Sequence, residues 1–240
     1  IVIVPVFYFV LQGLGIEPEV AVRVATATSL MVIVPTSISS VRAHHQRGNV
    51  DWNLIGRWWP FMVLGVILGS TVSLYSTGNL IGGIFGIIAL LVSANILFRP
   101  HAEPLAKQLP GMPTQGLMAG GTGFFSVMIG IGGGTIGVPL LTACSYPSHR
   151  AVGTAAFFGL LIALPGAAAM LLATTPEGAP GAMLGMVNLA GFVAIVPLTV
   201  LMAPVGARFG ARLDQLMLKR VFAVFLTISG VRMLMQFLGG

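Results

Sequence analysis

The residues of this chain best placed to do chemistry carry no charge. Gly130, Gly132, Gly133 and Gly134 crowd together ahead of Thr135, between two apolar stretches. Each glycine weakens a helix by about 1 kcal/mol relative to alanine, so the run predicts a break. A break frees backbone N–H groups, and a helix that restarts beyond it points its positive end at the gap. That arrangement suits an anion, and Gly132, Gly133, Gly134 and Thr135 are the residues expected to bind it. Hydroxyls at Thr28, Ser29 and Thr154 are assigned to the same site, as are Pro5 and Pro139, each of which closes an apolar strip. The structural alternatives are that glycine serves close helix packing and that Ser and Thr bond back to the preceding turn.

Other reactive side chains are sparse. His44, His45 and Asp51 share a short loop, but adjacent histidines rarely hold one ion and no third strong ligand stands at good spacing, so no metal is expected. Cys144 and Ser145 lie near His149 in sequence. An intramembrane enzyme needs a nucleophile and its base together at membrane depth, and a helix-to-loop junction does not favour that pair. Arg23 and Arg150 stand at the starts of expected spans, where arginine anchors a helix end or attracts an anion to a pore mouth. The chain has no Gly-x4-Gly-Lys-Ser/Thr loop for ATP. No cofactor is expected.

The elements that must position these residues are membrane helices. Charged residues make up 8% of the 240 positions and apolar residues 56%, with a mean hydropathy of +0.96. Such a chain cannot cover its outside with polar side chains. No Asp, Glu, Lys or Arg interrupts the stretches from Arg23 to Arg42, Arg57 to Arg99, Lys107 to Arg150, Arg150 to Glu177, or Glu177 to Arg208. About 20 apolar residues cross a hydrocarbon core, and inside lipid they must be helical. Spans are predicted near 20–41, 54–75, 79–98, 151–173, 186–206 and 216–238, with Arg57, Trp58 and Trp59 as an interfacial anchor. The net charge of +6 sits in short loops, as topology determinants do, which argues against nucleic acid and for a lipid bilayer as partner. Cys144 is the one cysteine and excludes an internal disulfide. Gly82, Gly83 and Gly86 form a small-residue stripe suited to a homo-oligomer contact or to a subunit of a larger complex.

The chain also reads as a sequence written twice. The segment 25–30 lies on 151–156, with Thr28 opposite Thr154 and Ser29 opposite Ala155. Gly48 and Asp51 match Gly185 and Asn188, and at that same offset Pro60 falls on Pro197 and Gly69 on Gly206. Pro5 pairs with Pro139. The expected organisation is a first repeat over 1–98, a cytoplasmic linker over 99–112 and a second repeat over 113–240. The basic loops from Arg42 to Arg57 and from Arg208 to Arg220 are predicted to be cytoplasmic, the acidic loops at 12–20 and 174–185 external. These sides agree only if 113–146 forms a hairpin that enters and returns, with 1–15 its shortened counterpart. The fold expected is therefore an all-α polytopic membrane helix bundle of two homologous, inverted repeats with glycine-broken hairpins, a plan common among secondary transporters. Since Ile1 falls inside an apolar run, a segment is expected to precede it.

From Gly130 through Gly132, Gly133, Gly134, Thr135 and Pro139 to Leu141 the sequence resembles the TauE/SafE family of sulfite-exporter-like permeases. Ala151 to Thr154, Ala27 to Leu30 and the loop from His44 to Asp51 extend the likeness over both halves. The resemblance implies a multi-helix permease of the inner membrane for small anions, with sulfite, sulfonates and related sulfur compounds as substrates; the paired repeats lead to the expectation of alternating access between them. The resemblance also implies that the first repeat's own glycine signature precedes Ile1.

Overall fold

A computed structural model describes residues 1–98, 106–210 and 215–239, and in the last two helices the side chains up to 202 and from 220 to 238. Nine helices are assigned among the described residues. They are α1 (Ile3–Gly13), α2 (Pro18–His45), α3 (Trp52–Tyr75), α4 (Gly78–Phe98), α5 (Met112–Met128), α6 (Gly133–Ala143), α7 (Ser148–Leu172), α8 (Leu189–Gly210) and α9 (Gln215–Gly239). Between α7 and α8 runs a two-stranded hairpin, β1 (Met183–Leu184) paired antiparallel with β2 (Val187–Asn188). Positions 99–105 of the expected linker and 211–214 of the expected basic turn lie outside the described residues.

Five helices are long and apolar enough to cross a membrane by length and composition: α2, α3, α4, α7 and the Arg220–Leu238 part of α9. The 28 residues of α2 make a rod of about 42 Å, longer than the hydrocarbon core is thick. By contrast α1 and α6 have 11 residues each, and α5 has 17, too few for a full crossing alone. The stretch from Met112 to Ala143 is thus two helices of unequal length on either side of a break. The chain ahead of it meets its far end, because Ala106 N–H donates to Ala143 C=O at 3.0 Å and the Ser145 hydroxyl donates to Ala106 C=O at 2.8 Å.

Helix starts follow their caps. Asp51 Oδ1 accepts from Leu54 N–H at 3.1 Å and fixes the start of α3 at Trp52, two residues before the sequence expectation. Asn188 Oδ1 does the same for Gly191 N–H at 2.7 Å and delays α8 to Leu189. The hairpin β1–β2 escapes any periodicity, since each strand is two residues long.

Small residues set the helix spacing. A Cβ on Gly65 of α3 would lie 2.1 Å from the Gly120 carbonyl oxygen of α5, so the two backbones touch there. Gly65→Ala is expected to cost about 1–3 kcal/mol or more through overpacking. Gly121, whose Cβ would meet nothing within 4 Å, is the control. Thermal unfolding of the two alanine variants in detergent should show a clear drop for Gly65→Ala and none for Gly121→Ala.

The stripe on α4 is filled from within the chain. A Cβ on Gly83 would come 2.8 Å from the Phe237 ring, and one on Gly86 would come 2.8 Å from the Gly230 carbonyl oxygen, both on α9. The stripe is therefore an α4–α9 seam and not a face open to a second copy. The expected interfacial anchor is corrected as well. Trp58 is fully buried, while Trp59 is 50% exposed. Neighbours in a helix point about 100° apart, so only one of two adjacent tryptophans faces outward.

Candidate functional site

The break between α5 and α6 is built so that only one of its two helix ends is left open. Helix α5 stops in a Schellman motif: Ile131 N–H donates to Ser126 C=O at 2.9 Å and Gly130 N–H to Val127 C=O at 3.3 Å. Gly130 has a φ of 68°, the left-handed conformation this motif needs. It also abuts α2, where a Cβ would fall 2.8 Å from the Thr26 carbonyl oxygen. The Ser29 hydroxyl of α2 donates to Gly130 C=O at 2.7 Å. The carbonyl end of α5 is thus paired within the break and with α2.

Helix α6 begins at Gly133 with Gly132 as its N-cap and no side-chain cap. In its first turn Thr135 N–H donates to Gly132 C=O at 3.4 Å, which leaves the N–H groups of Gly133 and Gly134 at the positive end of the helix. A cavity of about 520 Å³ adjoins them, lined by Ser29, Gly132, Gly134, Thr135 and Pro139 together with Ile, Val and Phe222 side chains from α1, α2, α4, α6 and α9. Among the described residues no charged side chain lines it. Pro139 has no N–H to give the Thr135 carbonyl one turn back, which leaves a polar main chain beside the cavity.

Five of the nine residues picked from sequence therefore meet at one cavity. Gly133 faces the other way, where a Cβ would lie 2.5 Å from the Phe158 Cβ of α7. Pro5 is buried within α1 and is not among the lining residues. Nor does it match Pro139 in place. Both α1 and α6 have 11 residues and the same C-terminal bonding, Ile16 N–H to Leu11 C=O and Tyr146 N–H to Leu141 C=O. Counted from that common end, Pro139 stands opposite Phe9.

Thr28 and Thr154 lie apart from the cavity lining and are fully buried. Thr154 Oγ1 accepts from Asp51 N–H, and Thr28 Oγ1 accepts from Asn188 N–H, each at 3.0 Å. Each threonine thus receives the N-cap residue of a helix in the other half. The loops that deliver those caps both carry a left-handed glycine, Gly48 with φ 69° and Gly185 with φ 58°.

Sequence reasoning missed the polar cluster around Asp51. Its Oδ2 accepts from the Tyr146 hydroxyl and from Arg150 Nη2, the latter at 3.0 Å. Burial opposes its ionisation, but the bonds from Tyr146 and the Leu54 N–H and the charge of Arg150 outweigh it and hold its pKa below the usual value. Burial and the adjacent Asp51 push the Tyr146 phenol up to about 12. A carboxyl whose folded pKa is depressed stabilises above its unfolded value, and that stability is lost as pH falls through the folded one. The melting temperatures of wild type and Asp51→Asn are therefore expected to differ at neutral pH and converge only below about pH 4.

Arg23 is an anchor. Its Nη2 donates to Ser76 C=O and sits 3.6 Å from Glu19, whose Oε1 accepts from Gly78 N–H at 3.1 Å, all within the first half. His45 Nδ1 accepts from Trp52 Nε1 at 3.4 Å, and among the described residues no three His, Cys, Asp or Glu side chains gather.

Long apolar helices around an uncapped half-helix and a cavity define a multi-pass helical membrane protein of the transporter class. The chain belongs to the sulfite exporter TauE/SafE family, which it matches over residues 1–233. It is similar to a "Probable membrane transporter protein" of Haemophilus influenzae, 27% identical over 98% of this chain and 90% of the relative. Proteins with the same description from Bacillus subtilis (24% identical, over 98% of this chain and 89% of the relative) and Methanocaldococcus jannaschii (27%, over 89% and 77%) are also similar. No solved structure matches the chain.

Proposed function

We propose that this chain is a secondary permease for a small anion, a sulfur oxyanion or organosulfonate such as sulfite, bound at the start of α6. The observation that carries the reading is the asymmetry of the break: the carbonyl end of α5 is paired, while the N–H end of α6 adjoins the cavity. A neutral solute gains little from such a field and a cation is repelled by it. Main-chain N–H groups and the Thr135 hydroxyl supply donors of the kind oxyanions accept, while the Ser29 hydroxyl holds the Gly130 carbonyl away from them.

The chain works, in this reading, as two homologous inverted repeats, 1–98 and 113–240, that move against each other to expose the site in turn. Support comes from the reciprocal threonine bonds, from the matching caps at Asp51 and Asn188, and from the equal lengths of α1 and α6. The test is initial-rate uptake into proteoliposomes containing the purified protein, with sulfite, thiosulfate, sulfate, a sulfonate, a carboxylate and phosphate. Saturable uptake of a sulfur anion, blocked by an excess of the same unlabelled anion, is expected. Uptake of none of the six would overturn the reading.

A further inference from the structure

The two halves are joined by equivalent contacts toward opposite ends of α2 and α7, but only one of those contacts is charged. At the end that carries Arg42, Arg47 and Arg57, Asp51 receives Arg150 Nη2 at 3.0 Å and the Tyr146 hydroxyl from the other half, beside its backbone bond to Thr154. At the opposite end the matching residue is Asn188. Its backbone makes the same bond to Thr28, but its side-chain amide donates to Gly181 C=O at 3.2 Å within its own half. Among the described residues the other ion pair, Arg23 with Glu19, also lies inside one half.

We propose that Asp51, Tyr146 and Arg150 form a clasp that holds the two halves shut at the basic end, so that the transport cycle is biased toward the state closed there. This inference rests on the alternating-access reading above. Separating the halves at that end gives up two bonds to a carboxylate whose side chain is 13% exposed when the halves are together, and charge-assisted bonds of this kind are stronger than neutral ones. At the other end the matching bond, from Asn188 N–H to Thr28 Oγ1, joins neutral groups. The backbone tightens the contrast, because a Cβ on Gly153 of α7 would lie 2.4 Å from the Asn49 carbonyl oxygen. The clasp thus closes over two main chains already in contact.

Asp51→Asn is the decisive variant, since it installs the residue the other half carries and keeps a good N-cap for α3. Ala151, one residue past Arg150, and its repeat counterpart Ala25 are both fully buried. Each is replaced by cysteine in a Cys144→Ser background, and alkylation by a small maleimide is timed in liposomes without solute. The cysteine at 151 is expected to react at least about threefold faster when Asp51→Asn or Arg150→Gln is added. The double change should be no faster than the quicker single one, because both remove the same interaction. Tyr146→Phe, which keeps the ion pair, should give a smaller rise, while the cysteine at 25 should react no faster in any of them. An unchanged rate at 151, or an equal rise at 25 through general loosening, overturns the clasp. Because no solute is needed, a failure of the anion reading appears in the uptake panel and a failure of the clasp appears here.

Discussion

A Gly134→Ala protein is expected to fold as well as wild type and to take up substrate at least about tenfold more slowly, while Gly133→Ala is expected to fold poorly. The two positions differ by one residue and by what surrounds them. A Cβ on Gly133 would stand 2.5 Å from the Phe158 Cβ, 2.8 Å from its carbonyl carbon and 2.9 Å from Gly159 N, a clash with backbone that no rotamer relieves. A Cβ on Gly134 would meet no protein atom within 4 Å, and Gly134 lines the cavity. The added methyl therefore disturbs only what approaches the first-turn N–H groups from the cavity. Alanine also favours the helix by up to about 1 kcal/mol, so stability should hold or rise. Tenfold corresponds to about 1.4 kcal/mol of lost interaction, modest for an anion pushed off two charge-favoured N–H donors. Uptake rates and melting temperatures measured on the same preparations separate the two effects. Wild-type uptake by Gly134→Ala would move the site away from the start of α6.

How far the sequence carried follows from which physics each feature obeys. Spans were legible because lipid forces apolar runs into helices, and α4 ends at Phe98 where the apolar run was expected to end. The break was legible because glycine is costly in a helix, but the stop itself is at Gly130, which takes the left-handed cap, and the triple glycine begins the next helix. Ser29, singled out for its hydroxyl, lines the cavity, and its tie to Gly130 C=O shows how α2 holds the break. Thr28 is one residue away and points elsewhere, a distinction that needs the facing direction of a helix buried on most sides. Facing direction was equally hidden at Trp58, because lipid and core are both apolar and the pattern of hydrophobicity cannot tell them apart. The Asp51 cluster needed two distant loops brought together, which no local rule supplies.

Trp58→Ala is expected to cost about 3–5 kcal/mol of stability, and with it the geometry of the site. The indole is fully buried, lies 5.3 Å from the Phe158 ring at an interplanar angle of 5°, and donates from Nε1 to Gln115 Oε1 at 2.9 Å. Gln115 in turn donates from Nε2 to Pro110 C=O at 2.8 Å, so one side chain ties the start of α5 to α3 and α7. Phe158 is also the surface on which Gly133 and Gly137 of α6 rest. Removing the indole opens a void behind that surface and leaves the Gln115 amide oxygen without its donor. Trp58→Phe fills part of the space and keeps a ring against Phe158, but it loses the N–H. It should cost about 1–3 kcal/mol and retain measurable uptake, whereas Trp58→Ala should lose both. Unfolding in detergent followed by far-ultraviolet circular dichroism, with uptake at a temperature where all variants stay folded, measures the two effects. Should Trp58→Ala match wild type in both, the stack and its hydrogen bonds would not be what holds α6 against the cavity.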